Sequence, residues 1–368
     1  MLISQNWQLI INVSRIGERG TGLAAFSRSV IECLINNFVN LCIAAPPDSC
    51  LSGDFKNVAV YQVPKWVAMT QHVSRLRPLL WLIYSYFGFP KRGIIISTTH
   101  HALPTAKQQI ITIHDLRPYF FPDTLLQKIY FRYYLPHVLK KIAGVLTVSQ
   151  ATKDLIVKHY RVSGLKVYVV HNCVDTSRFT PVPLSEKNPY LLMVGANWRH
   201  KNAHEFLQMH QFWADQYTVK IIIGNKVYRQ YLSDLCAKYH LTDKVQFLSY
   251  VREDELVTLY QGASALVYPS LMEGFGIPPL EAIACNTPVI VSDIPVFREI
   301  YGNAAIYVQL GNADSWRNAF HELENPVKLA VKMAYGKRKL LDYTGEIMCM
   351  QLRQALLDIF PTLEQRKI

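Results

Sequence analysis

Ala263-Ser-Ala-Leu-Val-Tyr-Pro-Ser-Leu-Met-Glu-Gly-Phe-Gly-Ile-Pro-Pro-Leu-Glu-Ala-Ile-Ala-Cys-Asn-Thr-Pro-Val-Ile290 holds a strand, a turn, a helix and the start of a second strand. Ala263 to Tyr268 is an apolar run of strand length. Glu273 opens a Gly-Phe-Gly turn, Leu280 to Cys285 reads as a short helix, and seven residues separate Glu273 from Glu281. Gly274 and Gly276 permit positive φ and close approach of a ligand to the backbone. Pro278 and Pro279 suit a first helical turn, where their missing N–H groups cost nothing. The amides of Phe275, Gly276 and Ile277 therefore sit at a helix N-terminus, which attracts anions. An anion held there meets a carboxylate at each end, and each carboxylate can accept from hydroxyls such as those of a sugar or a ribose. Two carboxylates alone would read as a helix cap and a solvated helix residue. The glycines and tandem prolines weigh the other way.

Working outward, 368 residues exceed one ordinary core, so two α/β domains are expected. Half the residues are hydrophobic, which fits a folded chain. The seven cysteines are scattered and contain no C-x-x-C pair. That argues against a zinc site or a disulfide framework, and for a reducing compartment. The N-terminus lacks a basic region and a cleavage pattern, and the apolar run 79–89 is too short to span a bilayer. A cytoplasmic protein, soluble or peripheral at the inner face of the cytoplasmic membrane, is expected.

Net charge is +12, and Lys56 to His114 contains no acidic residue. Lys65, Arg75, Arg77, Lys91 and Arg92 alternate there with Trp66, Trp81, Tyr84, Tyr86, Phe87 and Phe89. Segment 65–92 fits the surface of an anionic membrane, or a set of core aromatics with ordinary basic surface. No nucleic-acid motif accompanies it, so no nucleic-acid partner is expected.

In the first half, Trp7 to Val13 is a strand pattern, a glycine-bearing turn ends at Gly22, and a helical pattern runs from Ser27 to Phe38. Amides near Gly22 are placed to meet a phosphate. Gln109 to His114 is a strand ending in His114-Asp115, and ligands gather at the carboxyl ends of such strands. His114 faces a substrate in this reading, or is satisfied by local backbone. His100, His101, His114 and Asp115 match no standard metal spacing. Leu125 to Lys141 reads as a helix, and Ser149 as the cap of the next one. Pro181, Pro183 and Pro189 mark a linker. Beyond it, Tyr190 to Val194 is a strand, and Arg199 and Lys201 lie in the loop that follows. With no Asp-x-Asp metal cluster, these cations are the candidates to balance a diphosphate.

Glu-Gly-Phe-Gly-Ile-Pro-Pro-Leu-Glu resembles the E-x7-E motif of the GT-B-fold retaining glycosyltransferases of family 4. His-Asp-Leu at residues 114–116 resembles the acceptor-side motif of their mannosyltransferase-like branch, and the Lys201-Asn202 loop their donor-phosphate loop. Arg199 sits one place from the family's usual arginine, and Cys173 replaces a glycine. The resemblance covers almost the whole chain and is weakest over residues 51–92.

The resemblance implies two Rossmann-like domains with a cleft between them. The expected division is an acceptor domain 1–180, a nucleotide-sugar domain 181–345, and a final helix 346–368 packing back on the first domain. It implies that Glu273 and His114 face the transferred sugar and that Glu281 holds the ribose. Gly22, Arg199, Lys201 and the Phe275, Gly276 and Ile277 amides would meet the donor. The implied reaction is retaining and metal-free, with a nucleotide-sugar as co-substrate and no other cofactor. GDP-mannose is the first donor, and a lipid-linked glycan of a surface polysaccharide the acceptor. A UDP-sugar transferase, a nucleotide-sugar epimerase of this fold and a non-catalytic binding protein remain alternatives.

Overall fold

The computed structural model describes residues 7–17, 22–51, 55, 57–67, 77–90, 92–181 and 188–363, leaving aside the side chains of 77–79 and 188. Lys56, Arg75, Lys91 and Pro183, named above, and residues 18–21 of the glycine-bearing turn lie outside the described residues. Two compact units emerge, Met1–Cys173 with Gly345–Ile368, and Val174–Thr344.

Unit 1 carries a parallel sheet of seven strands: β1 (Leu9–Asn12), β2 (Leu41–Ala45), β3 (Ala59–Gln62), β4 (Ile94–Ser97), β5 (Gln109–Ile113), β6 (Gly144–Thr147) and β7 (Val167–Val169). Their order is β3-β2-β1-β4-β5-β6-β7. β1, β2, β5 and β6 are buried along their whole length. Continuous apolar runs such as Leu9-Ile-Ile suit strands covered on both faces.

Unit 2 repeats the plan with β8 (Asn188–Met193), β9 (Thr218–Ile222), β10 (Val245–Leu248), β11 (Ala263–Tyr268), β12 (Val289–Ser292) and β13 (Ile306–Val308), in the order β10-β9-β8-β11-β12-β13. Its core gathers Phe206, Trp213 and Trp316. Both indoles bury their N–H with a partner: Trp213 donates to the Phe206 carbonyl at 3.2 Å, and Trp316 to Glu205 Oε1 at 3.1 Å. In each sheet the direction of strand succession reverses once, between β1 and β4 and between β8 and β11. Loops leaving such a pair diverge and open a crevice.

Three local features follow from sequence chemistry. Ser149 caps the helix Gln150–Tyr160, its hydroxyl accepting from the Thr152 N–H. The helix expected at 125–141 runs as Leu125–Ile129, a π-helical stretch Tyr130–Tyr134, and Leu135–Leu139. Leu135 N–H reaches back to the Tyr130 carbonyl there, just before Pro136, which has no N–H to continue the ladder. The aromatics of 65–92 divide: Trp81, Tyr84 and Phe89 enter the core with Ile10 and Ile95, whereas Trp66, Tyr86 and Phe87 are exposed.

One expectation is overturned. Cys33 and Cys349 form a disulfide, with Cα atoms 5.4 Å apart. The helices Gly22–Asn37 and Gly345–Ile359 come from opposite ends of the chain and pack together in unit 1. Scatter along the sequence therefore hid proximity in space, and the cysteine count no longer argues for a reducing compartment. Purified protein, denatured without reductant, should titrate five thiols of its seven cysteines. Seven thiols would show that the bridge does not form.

Candidate active site

Loops at the carboxyl ends of three adjacent strands build the site of unit 2. The Asn197 carboxamide oxygen accepts from the Gly224 N–H at 2.6 Å and the Asn225 N–H at 3.3 Å, joining the loops after β8 and β9. Leu271 N–H donates to the His200 carbonyl at 2.8 Å, joining the loop after β8 to the turn after β11. Arg199 to Lys201 form one 3-10 turn, and Asn202 follows at φ 58°.

This arrangement brings Lys201 to Glu273. Lys201 Nζ donates to Glu273 Oε1 at 2.5 Å and to the Tyr268 hydroxyl at 2.6 Å. The two charged side chains are only 17% and 14% exposed. Burial pushes the Glu273 carboxyl up, but the Lys201 charge and hydrogen bond outweigh it, and the pKa lies below its ordinary value. Glu273 is therefore an anion at neutral pH, matched by a cation in a poorly hydrated place.

Beyond it the chain turns at Gly276, whose φ is +95°. A Cβ there would lie 2.2 Å from the Tyr301 hydroxyl, so only glycine fits. The helix Ile277–Ala284 begins at once, with proline in its first turn. Glu281 lies on that helix, and its Oε2 accepts from the Tyr260 hydroxyl at 2.8 Å. Burial raises the Glu281 pKa, and the Tyr260 hydrogen bond works against the rise. Among the described residues, Glu281 Oε1 has no such donor and remains an acceptor for a hydroxyl. Arg199 does not join the ion pair. Its guanidinium lies 4.6 Å from the centre of the Tyr231 ring.

In unit 1, His114 follows β5, and its Nε2 lies 2.9 Å from the Thr98 carbonyl oxygen. A carbonyl only accepts, so Nε2 carries the proton. Burial lowers the His114 pKa to about 4, opposed by that hydrogen bond. The ring is neutral at pH 7, and Nδ1 presents a lone pair. The Phe26 and His114 rings pack nearly at right angles, with centroids 4.8 Å apart. Phe26 stands on the helix that Gly22 begins, so the two unit 1 candidates belong to one neighbourhood. His100 and His101 stack at 4.2 Å, and burial lowers the pKa of both, that of His100 to about 3. Among the described residues no group of three His, Cys, Asp or Glu could hold a metal ion.

Sequence reading missed the groups that hold the named side chains: the Tyr268 hydroxyl on Lys201, the Tyr260 hydroxyl on Glu281, the Tyr231 ring under Arg199 and the backbone carbonyl of Thr98 on His114. Tyr268 ends β11 immediately before the turn, and that position is the one signal that could have found it. The others come from distant segments.

Two outcomes are expected. Removing one member of a buried ion pair costs about 3–5 kcal/mol. Lys201→Met should thus lower the melting temperature, and Lys201→Met with Glu273→Gln should recover most of the loss. Strict additivity in that cycle would show that the pair is not coupled. The second outcome concerns pH. A histidine with a depressed folded pKa stabilises the fold above its ordinary value of 6.5, and that contribution is lost as pH falls toward the folded value. The melting temperature should fall from about pH 6.5 toward about pH 4, and less steeply in His101→Asn. Parallel profiles would contradict the partly buried, neutral histidines.

Comparison with known proteins follows the same division. The family model described as glycosyl transferases group 1 matches residues 176–340, and that of Glycosyltransferase Family 4 matches residues 25–178. The chain is 42% identical over 328 residues to the O-antigen chain mannosyltransferase RfbU of Salmonella typhimurium, covering 86% of this chain and 91% of the relative. It is 25% identical over 255 residues to O-antigen chain mannosyltransferase B of Escherichia coli, covering 64% and 65%. The solved structure of Anabaena Alr3699/HepE in complex with UDP-glucose superposes with a TM-score of 0.74 at 15% identity, covering 95% of this chain and 99% of that one. Two Rossmann-like sheets with a Lys201–Glu273 pair at the switch point of the second, and a relative matched nearly end to end, have one reading: the chain is a GT-B glycosyltransferase belonging to the family 4, group 1 glycosyltransferases.

Proposed function

We propose that this enzyme transfers mannose from GDP-mannose, with retention of configuration, to a lipid-linked glycan in the assembly of an O-antigen or similar surface polysaccharide. The observation that carries this reading is the end-to-end relationship to an O-antigen chain mannosyltransferase, together with an intact Lys201–Glu273–Glu281 constellation. In this proposal unit 2 holds the donor and unit 1 the acceptor.

The chemistry breaks the bond between the sugar's anomeric carbon and the distal phosphate oxygen, and the electron pair leaves with GDP. The acceptor hydroxyl oxygen bonds to the anomeric carbon from the same face, and its proton passes to the departing phosphate. Charge thus grows on the diphosphate as the transition state forms. Lys201, Arg199 and the amides of residues 275–277 would stabilise it, with no metal required. Glu273 would accept from sugar hydroxyls while its charge stays balanced by Lys201. Glu281 Oε1 would accept from the ribose. His114, neutral, would take a sugar hydroxyl on Nδ1, and Gly22 would border the donor phosphate.

Incubation with GDP-mannose and a lipid-linked acceptor should yield an α-mannosyl product by NMR, undiminished by chelator. Glu273→Ala and Lys201→Ala should each lose at least about a hundredfold in kcat/KM. A β-linked product, lasting chelator sensitivity, or wild-type turnover in either variant would contradict the assignment.

A cytoplasmic enzyme in contact with an anionic membrane completes the proposal. No helix among the described residues is long and apolar enough to cross a membrane. Two helices of unit 1 nevertheless turn apolar side chains to water. On Arg77–Phe87 these include Ile83, Tyr86 and Phe87, the last 80% exposed; on 125–139 they include Leu125 and Tyr133, each 71% exposed. Residues 124–153 carry no acid but include Lys128, Arg132, Lys140 and Lys141. Basic charge beside exposed apolar surface supports contact with acidic headgroups. The protein should sediment with anionic vesicles and not with zwitterionic ones. Neutralising Arg75, Arg77, Lys91 and Arg92 should weaken that binding, and unchanged binding would remove segment 65–92 from the contact.

A further inference from the structure

We infer that Tyr301 is a positioning residue which aims the amide N–H groups of Gly276 and Ile277 at the diphosphate of the donor. The inference rests on the donor-site reading above and names a residue outside the E-x7-E motif. Tyr301 ends the helix Pro295–Tyr301 and is fully buried. Its hydroxyl donates to the Gly276 carbonyl at 2.5 Å and lies 3.4 Å from the Phe275 carbonyl oxygen. One phenol thus gathers two consecutive carbonyls on the inner side of the turn.

A trans peptide points its C=O and N–H in opposite directions, and no peptide among the described residues is cis. Turning the Phe275 carbonyl inward therefore turns the Gly276 N–H away from Tyr301. Turning the Gly276 carbonyl inward does the same for the Ile277 N–H. Peptides flanking a glycine at positive φ meet little steric resistance to reorientation, so their direction must be held by something else. The ring of Phe297 fixes the Tyr301 ring from the side, with centroids 5.3 Å apart. Burial raises the phenol's pKa well above its ordinary value, so the hydroxyl keeps the proton it donates. Pro278 and Pro279 supply no N–H to the first turn of the helix. The amides before them therefore carry more of the anion binding than they would in another helix.

Tyr301→Phe removes the hydroxyl and keeps the ring. In isothermal titration it should weaken GDP binding about tenfold, equivalent to about 1.4 kcal/mol, while guanosine, which lacks phosphates, binds unchanged. The kcat for mannosyl transfer should fall more than the melting temperature implies. In the wild-type protein, hydrogen exchange at Gly276 and Ile277 should slow on adding GDP, a readout that needs no variant. GDP binding with unprotected amides at 276 and 277, or a folded Tyr301→Phe that keeps wild-type GDP affinity, would overturn the inference alone. Failure of the wild-type protein to bind GDP would overturn it together with the donor-site reading.

Discussion

The buried ion pair between Lys201 and Glu273 is the constraint around which unit 2 is arranged. Two charges 2.5 Å apart, mostly removed from water, are tolerated only if each stays matched. The match requires β8 and β11 to be neighbours, since one residue follows each strand. It also requires the Leu271 to His200 backbone bond, which keeps the two loops in register, and the Tyr268 hydroxyl, which gives the ammonium a second partner. The pair leaves no net buried charge at the turn, and in the proposed function it holds a cation where a diphosphate would develop charge. Preorganisation of this kind spares the protein from reorganising during the reaction.

Unit 1 solves a different problem with the same sheet plan. Its switch-point strand β4 and the neighbouring β5 end in three histidines, and burial keeps them neutral. A neutral ring with one nitrogen committed to a backbone carbonyl offers a fixed acceptor, a useful tool for reading hydroxyl groups. The final helix, bridged through Cys349 to Cys33, gives this unit a closure that draws on both ends of the chain.

Much of this was legible in the sequence because it is local. Strand-length apolar runs, the Ser149 cap and the Gly-Phe-Gly-Ile-Pro-Pro turn state their own geometry within a few residues. Lys201, Glu273 and His114 were legible as site candidates because each follows a strand, and Glu281 because it lies on the helix that the turn begins. Their partners were not. Tyr260 and Tyr301 reach the site from helices whose sequence gives no sign of it, and the meeting of Cys33 with Cys349 depends on how two distant helices pack. Arg199 follows the same rule, since its place in the loop is local and its contact with Tyr231 is not.

The most direct test is ligand-induced thermal stabilisation across a panel of nucleoside diphosphates and their sugars. A ligand at about a hundred times its dissociation constant adds about 2.7 kcal/mol, a readily measured shift. Selective stabilisation by GDP and GDP-mannose is the expected result. Stabilisation by UDP ligands instead would discard mannose from GDP-mannose as the transferred group, and no response to any nucleotide would contradict the donor site at Lys201 and Glu273.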